Sequence, residues 1–168
     1  GSEMCIRDSC NAGFGISGAV EFTAYADAKR QFDVNFFGTS NCIRAALPEM
    51  RRQGSGMIIV TSSVAGMLSI PFQAYYSASK AALNSLVLAT ANEVRPYGVR
   101  VAAIMPGDIK TGFTAARTKS NAGSSDYAAL SKSVATMERD EQNGMSPDVI
   151  ARCMYSAVSY THLRAHET

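Results

Sequence analysis

Histidine is almost missing from this chain. The two present, His162 and His166, both lie within the last seven residues, and there is no tryptophan. Four cysteines, Cys5, Cys10, Cys42 and Cys153, share no paired C-x-x-C spacing. That excludes a disulfide framework and a zinc knuckle. No apolar run approaches the roughly 18 residues a membrane span needs. Basic and acidic residues nearly balance, at a formal +2. So mild and dispersed a charge argues against a nucleic-acid partner.

The ends reinforce these absences. Gly1 to Ser9 can be encoded as GGC TCG GAG ATG TGT ATA AGA GAC AG plus one base. The reverse complement of that string encodes Val158 to Ala165. One DNA string thus accounts for both tails on opposite strands, as a library adapter flanking an insert would. We therefore expect residues 1–9 and 158–168 to be non-native, and 10–157 to be part of a longer protein. Both histidines then drop out. No Ser-His-Asp triad and no metal site is expected. Without Arg7, Arg164, Glu3, Asp8 and Glu167, 14 basic and 11 acidic residues remain, a net +3. This composition fits a soluble protein of a reducing, cytoplasmic compartment.

What is present is an alternation of helical and strand-like patterns. Residues 23–52 read as helical, with Phe32, Phe36, Ile43, Leu47 and Met50 on an apolar face broken near Gly38. The Gln53-Gly54-Ser55-Gly56 run ends that segment. Met57 to Ser62 is apolar on both faces, as in a buried parallel strand. A loop over 67–72 is followed by a helix over 73–94. A second buried strand spans 99–105. Residues 110–145 are polar and predict short helices and loop. Ser146-Pro147 starts a last helix with a cap and a proline at its first position. The expected fold class is α/β, a Rossmann-type doubly wound parallel sheet, incomplete at its first strands.

Tyr76 and Lys80 lie four apart on a helix, so both side chains project from one face. A cation beside a phenol favours the phenolate and makes it a usable acid or base. Alone, the pair reads equally well as a core-edge tyrosine and a solvated lysine. Ser63 follows the first buried strand, at the carboxyl edge where open α/β sheets bind ligands. Asn35 is an amide within an apolar helical stretch, where a helix-internal hydrogen bond also fits. Pro106-Gly107 closes the second strand, and Gly107 can admit a ligand close to the backbone or simply end the strand. Gly13-Phe14-Gly15-Ile16-Ser17-Gly18 matches G-x-G-x-x-G, but no helix begins directly after it. It is not read as a dinucleotide fingerprint.

Together these residues resemble the short-chain dehydrogenase/reductase family over about residues 10–119. Asn11-Ala12-Gly13 looks like the family's Asn-Asn-Ala-Gly motif, with Cys10 in place of the first Asn. Asn35, Ser63, Tyr76 and Lys80 match its catalytic set. Pro106, Gly107, Ile109 and Thr111 match the segment lining the nicotinamide. The detail looks closest to the hydroxysteroid- and retinol-dehydrogenase-like branch. The resemblance implies hydride transfer between NAD or NADP and a small-molecule carbonyl/alcohol pair. It implies Tyr76 as acid/base, and Lys80 as the group that lowers the Tyr76 pKa and holds the ribose. Ser63 would bind the substrate oxygen, and Asn35 would hold a water relaying protons towards Lys80. Asn11, Ala12, Gly13, Tyr76 and Lys80 would also touch the cofactor. A homo-oligomer is implied, through the helices around 25–50 and 73–95. The family's phosphate-binding glycine turn has no counterpart here, so a segment on the order of 80 residues is expected upstream. NAD and NADP are not distinguished without it, and the fragment alone is expected to be inactive. Two other readings remain: a non-catalytic binding relative, and a nucleotide-sugar epimerase or dehydratase.

Overall fold

The computed structural model describes residues 7–159. Most of the two terminal segments read as foreign lies outside the described residues. Of the part inside, Arg7, Asp8 and Ser9 form strand β1 (Arg7–Cys10), with all three side chains exposed. A parallel ladder is made by backbone groups, so these positions are paired whatever their side chains.

Strand β3 (Gly56–Thr61) is the centre of the main sheet. It pairs in parallel with β1 on one side and with β4 (Val99–Ile104) on the other. Met57, Ile58, Ile59 and Val60 are all buried, which is why this strand is apolar without alternation. Between β1 and β3 the chain runs through β2 (Ile16–Ser17), α1 (Tyr25–Phe32) and α2 (Thr39–Gln53). Helix α3 (Ala74–Val94) connects β3 to β4. The core is formed where α2 and α3 meet the sheet: Ile43, Met50, Leu83, Val87 and Val94 pack with Ile58, Val60, Val99 and Val101.

The break in the apolar face near Gly38 falls where the helix changes geometry. It widens into a π-helical stretch, Asp33–Gly38, between α1 and α2. Such bulges recur at functional sites, and Asn35 is the buried residue of this one. Helix α2 ends at Gly54, in the left-handed conformation (φ 68°), with Ser55 N donating to the Met50 carbonyl. Gly98 also has positive φ (70°), and a Cβ there would fall 2.2 Å from the Gly54 carbonyl oxygen. Two glycines thus let the turns below β3 and β4 touch.

The polar region beyond β4 is more ordered than its composition predicts. It forms α4 (Phe113–Ala116), β5 (Thr118–Lys119) and α5 (Leu130–Gln142). Strand β5 pairs in parallel with β2, which no local pattern announced. Helix α6 (Pro147–Ser159) begins as expected, with the Ser146 hydroxyl accepting from Asp148 N at 3.3 Å. Among the described residues, no helix is long and apolar enough to cross a membrane, and no cluster of three potential metal ligands occurs.

Candidate active site

The three parallel strands end on one edge, and the loops leaving them enclose a cavity of about 420 Å³. Asn11 and Gly13 enter it from beyond β1, Ser62 and Ser63 from beyond β3, and Pro106, Gly107, Ile109 and Thr111 from beyond β4. The strand ends are stitched together: Ser62 N donates to the Ile104 carbonyl at 2.8 Å and Val64 N to the Pro106 carbonyl at 3.0 Å. Tyr76 and Lys80 reach the same cavity from the first turns of α3.

Ser63 sits in extended backbone, and its hydroxyl accepts from Ala65 N at 3.1 Å, which turns the chain away from the sheet. Its side chain neighbours that of Tyr76. Tyr76 is 8% exposed. Burial pushes its pKa above the usual tyrosine value. The Ser63 hydroxyl and the charge of Arg117 pull it down, and Glu141 pushes it up.

Lys80 reaches the cavity beside Tyr76. Its ammonium is 5.8 Å from the Tyr76 ring centroid and donates to the Thr61 carbonyl at 2.8 Å. Burial lowers its own pKa to about 8. Desolvation of the phenol is the largest effect on Tyr76, and burial likewise disfavours the charged form of Lys80.

Asn35 lies behind the cavity rather than in its lining. Its Oδ1 accepts from Phe14 N at 3.1 Å. Its Nδ2 donates to the Phe14 carbonyl and to Ser79 Oγ, each at 3.1 Å. Both Nδ2 protons and one lone pair of Oδ1 are thus committed to protein groups. Gln31, one turn earlier, does the same work: Oε1 accepts from Ile16 N at 2.9 Å and Nε2 donates to the Phe14 carbonyl at 2.6 Å. Sequence reasoning missed Gln31, although the Gln31/Asn35 spacing puts two amides on one helical face. Ala12 is exposed and does not line the cavity. The remaining sequence-derived residues do. Gln73, Asp108 and Glu141, which had no motif to mark them, line it as well.

The edge fits the nicotinamide-ribose end of a dinucleotide. A Cβ at Gly13 would stand 3.3 Å from Asn35 Oδ1, a tight contact, and 3.6 Å from Lys80 Nζ, so the chain after β1 passes close to both side chains. Gly107 has nothing within 4 Å of its Cβ position, an open backbone surface at the cavity wall. The side chains with donors that line it include the Lys80 ammonium, the hydroxyls of Thr61, Ser62, Ser63, Tyr76 and Thr111, and the amides of Asn11 and Gln73.

The chain belongs to the short-chain dehydrogenase family, whose model matches residues 9–122. It is 41% identical over 140 residues to a 3-ketodihydrosphingosine reductase of Bacteroides thetaiotaomicron, covering 82% of this chain and 52% of that protein. Over 104 residues it is 40% identical to human 17-beta-hydroxysteroid dehydrogenase type 1, covering 62% of this chain and 32% of that one. Among solved structures, a short-chain dehydrogenase/reductase from Burkholderia phymatum in complex with NAD superposes with a TM-score of 0.80 at 27% identity. That match covers 92% of this chain and 58% of the other. The chain thus spans from a third to about half the length of these curated relatives.

Proposed function

We propose that this chain carries the catalytic half of an NAD(P)-dependent oxidoreductase that interconverts a carbonyl and an alcohol. The observation that carries the reading is the Ser63–Tyr76 hydroxyl pair, set in one cavity with Lys80 at the carboxyl edge of a parallel sheet. The family relatives named as a keto-reductase and a hydroxysteroid dehydrogenase support the reaction class. NAD or NADP, bound along Asn11, Gly13, Lys80, Pro106, Gly107, Ile109 and Thr111, would supply or accept the hydride.

Each residue then has a defined task. In reduction the carbonyl carbon gains the hydride and its oxygen gains a proton from the Tyr76 hydroxyl. In oxidation Tyr76 takes that proton back. A phenol pushed upward by burial stays protonated at neutral pH, which suits it to donate. Ser63, beside Tyr76 in the same cavity, can donate to the same substrate oxygen and stabilise charge developing on it. Lys80 presents its ammonium from behind Tyr76 towards the ribose. Gln31 and Asn35 clamp the turn after β1 and so hold Gly13 in place. Ile70, Gln73, Phe113 and Glu141 form the substrate side of the cavity.

Tyr76→Phe in the full-length parent tests this. Removing a general acid/base costs about 10²–10⁴ in rate, so turnover is expected to be lost while the dinucleotide still binds. Turnover near wild type would end the assignment.

A further inference from the structure

Part of the cover over the cavity is fastened by a buried ion pair. The Arg117 side chain has no exposed surface, and it pairs with Glu141, 13% exposed, on α5. Glu141 also accepts from Thr114 Oγ1 at 2.6 Å, so one carboxylate ties α4, β5 and α5 together. The Arg117 guanidinium lies 5.5 Å from the Phe113 ring centroid. The Phe113 centroid in turn lies 5.6 Å from that of Tyr76, tilted by 55°. Gly15 makes room for this stack: a Cβ there would meet Phe113 Cζ at 3.1 Å and Arg117 Nε at 3.5 Å. Thr118 N donates to the Gly15 carbonyl at 3.0 Å and holds the two segments in register.

The pair is a poor device for stability alone. Arg117 Nε and Nη1 are buried without a hydrogen-bond partner among the described residues, and an under-satisfied buried ion pair is commonly no better than an apolar replacement. Its position is what distinguishes it. It forms the far end of a run of contacts, guanidinium over phenyl and phenyl tilted against phenol, and Glu141 lines the cavity.

The geometry points to Arg117 as a positioning residue: held by Glu141, it presses Phe113 against Tyr76, so that seating the 113–142 cover and setting the phenol are one event. This rests on the reading of Tyr76 as the acid/base. The charged groups facing Tyr76 are Lys80 on its own helix, Arg117 beside β5 and Glu141 on α5. Asp108 lies further out, against Glu141. Arg117 favours the phenolate and Glu141 opposes it, so removing either one shifts Tyr76 in a direction set by the other.

The test uses the full-length parent with Arg117→Met, Arg117→Lys, Glu141→Gln and the Met/Gln double variant. Two readouts are taken: the pH profile of alcohol oxidation, and the ionisation of Tyr76 followed by the NMR shift of its labelled Cζ. Arg117→Met is expected to move Tyr76 ionisation upward and to lower kcat by about tenfold or more, with the dinucleotide KM little changed. Glu141→Gln is expected to move the ionisation downward. The double variant should fall between the two, and Arg117→Lys should recover most of kcat. Shifts of the same sign in both single variants, or none in either, would overturn the proposal, because loss of packing alone does not produce opposite signs. If Arg117→Met fails to fold, Glu141→Gln decides by itself: a downward shift sustains the proposal and no shift overturns it. If the parent lacks dehydrogenase activity, the reading of Tyr76 fails, and the NMR titration still decides whether Arg117 and Glu141 set the phenol.

Discussion

Lys80 Nζ donates a 2.8 Å hydrogen bond to the carbonyl of Thr61, the last residue of β3. An ammonium that closes a strand end instead of meeting a carboxylate remains a buried, uncompensated charge, and its pKa falls from 10.5 to about 8.

That fall has a consequence for stability. It corresponds to roughly 3 kcal/mol. Below pH 8 the folded protein holds the charged lysine at full penalty. Between about pH 8 and 10.5 the unfolded chain binds more protons than the folded one, so Lys80's contribution becomes more favourable as pH rises. Urea unfolding of the parent and of its Lys80→Met variant should therefore diverge across this window, wild type gaining relative to the variant. The difference removes the parallel titration of cysteines and tyrosines. Parallel curves from pH 7 to 10.5 would contradict the burial of the charge.

Asn35 is expected to matter first for architecture. Its amide is fully buried and makes three hydrogen bonds, two of them to Phe14. Asn35→Ala strands the Phe14 amide, at a cost of about 1–3 kcal/mol. Asn35→Asp loses the two Nδ2 donors and turns a carboxylate towards the Phe14 carbonyl, so it should not rescue. Chemical denaturation gives the magnitude. Hydrogen exchange at the Phe14 amide gives the location, and unchanged protection there would contradict the clamp.

The residues we propose for the cofactor run along one cavity, from Asn11 and Gly13 across to Thr111. We expect this 168-residue chain to bind NAD and NADP no better than about millimolar, and not to turn over. Isothermal calorimetry on the chain itself measures this. Micromolar affinity, about 4 kcal/mol tighter, would show that the residues present suffice.

The short-range features were legible because they depend on neighbours in the chain. Met57 to Val60 are uniformly apolar, and a strand between two others must be. The spacing of Tyr76 and Lys80 places them on one helical face whatever packs nearby. Ser63 and Pro106-Gly107 follow strands, and strand ends define the ligand edge of a parallel sheet. The β2–β5 pairing was not legible, since two residues carry no period. The π-helical stretch was not either: a break in the apolar face near Gly38 does not encode a widened turn around Asn35.

By itself, then, the sequence determined the class of fold, the family and the acid/base candidate, because apolar periodicity and residue spacing survive in any folded context. Only the tertiary structure decided what those residues experience. It committed the Asn35 amide to Phe14 and Ser79, turned Lys80 to Thr61, and set Phe113, Arg117 and Glu141 behind Tyr76. The reason is physical. Desolvation and long-range charge depend on what is brought within a few ångströms in space, and no spacing along the chain encodes that.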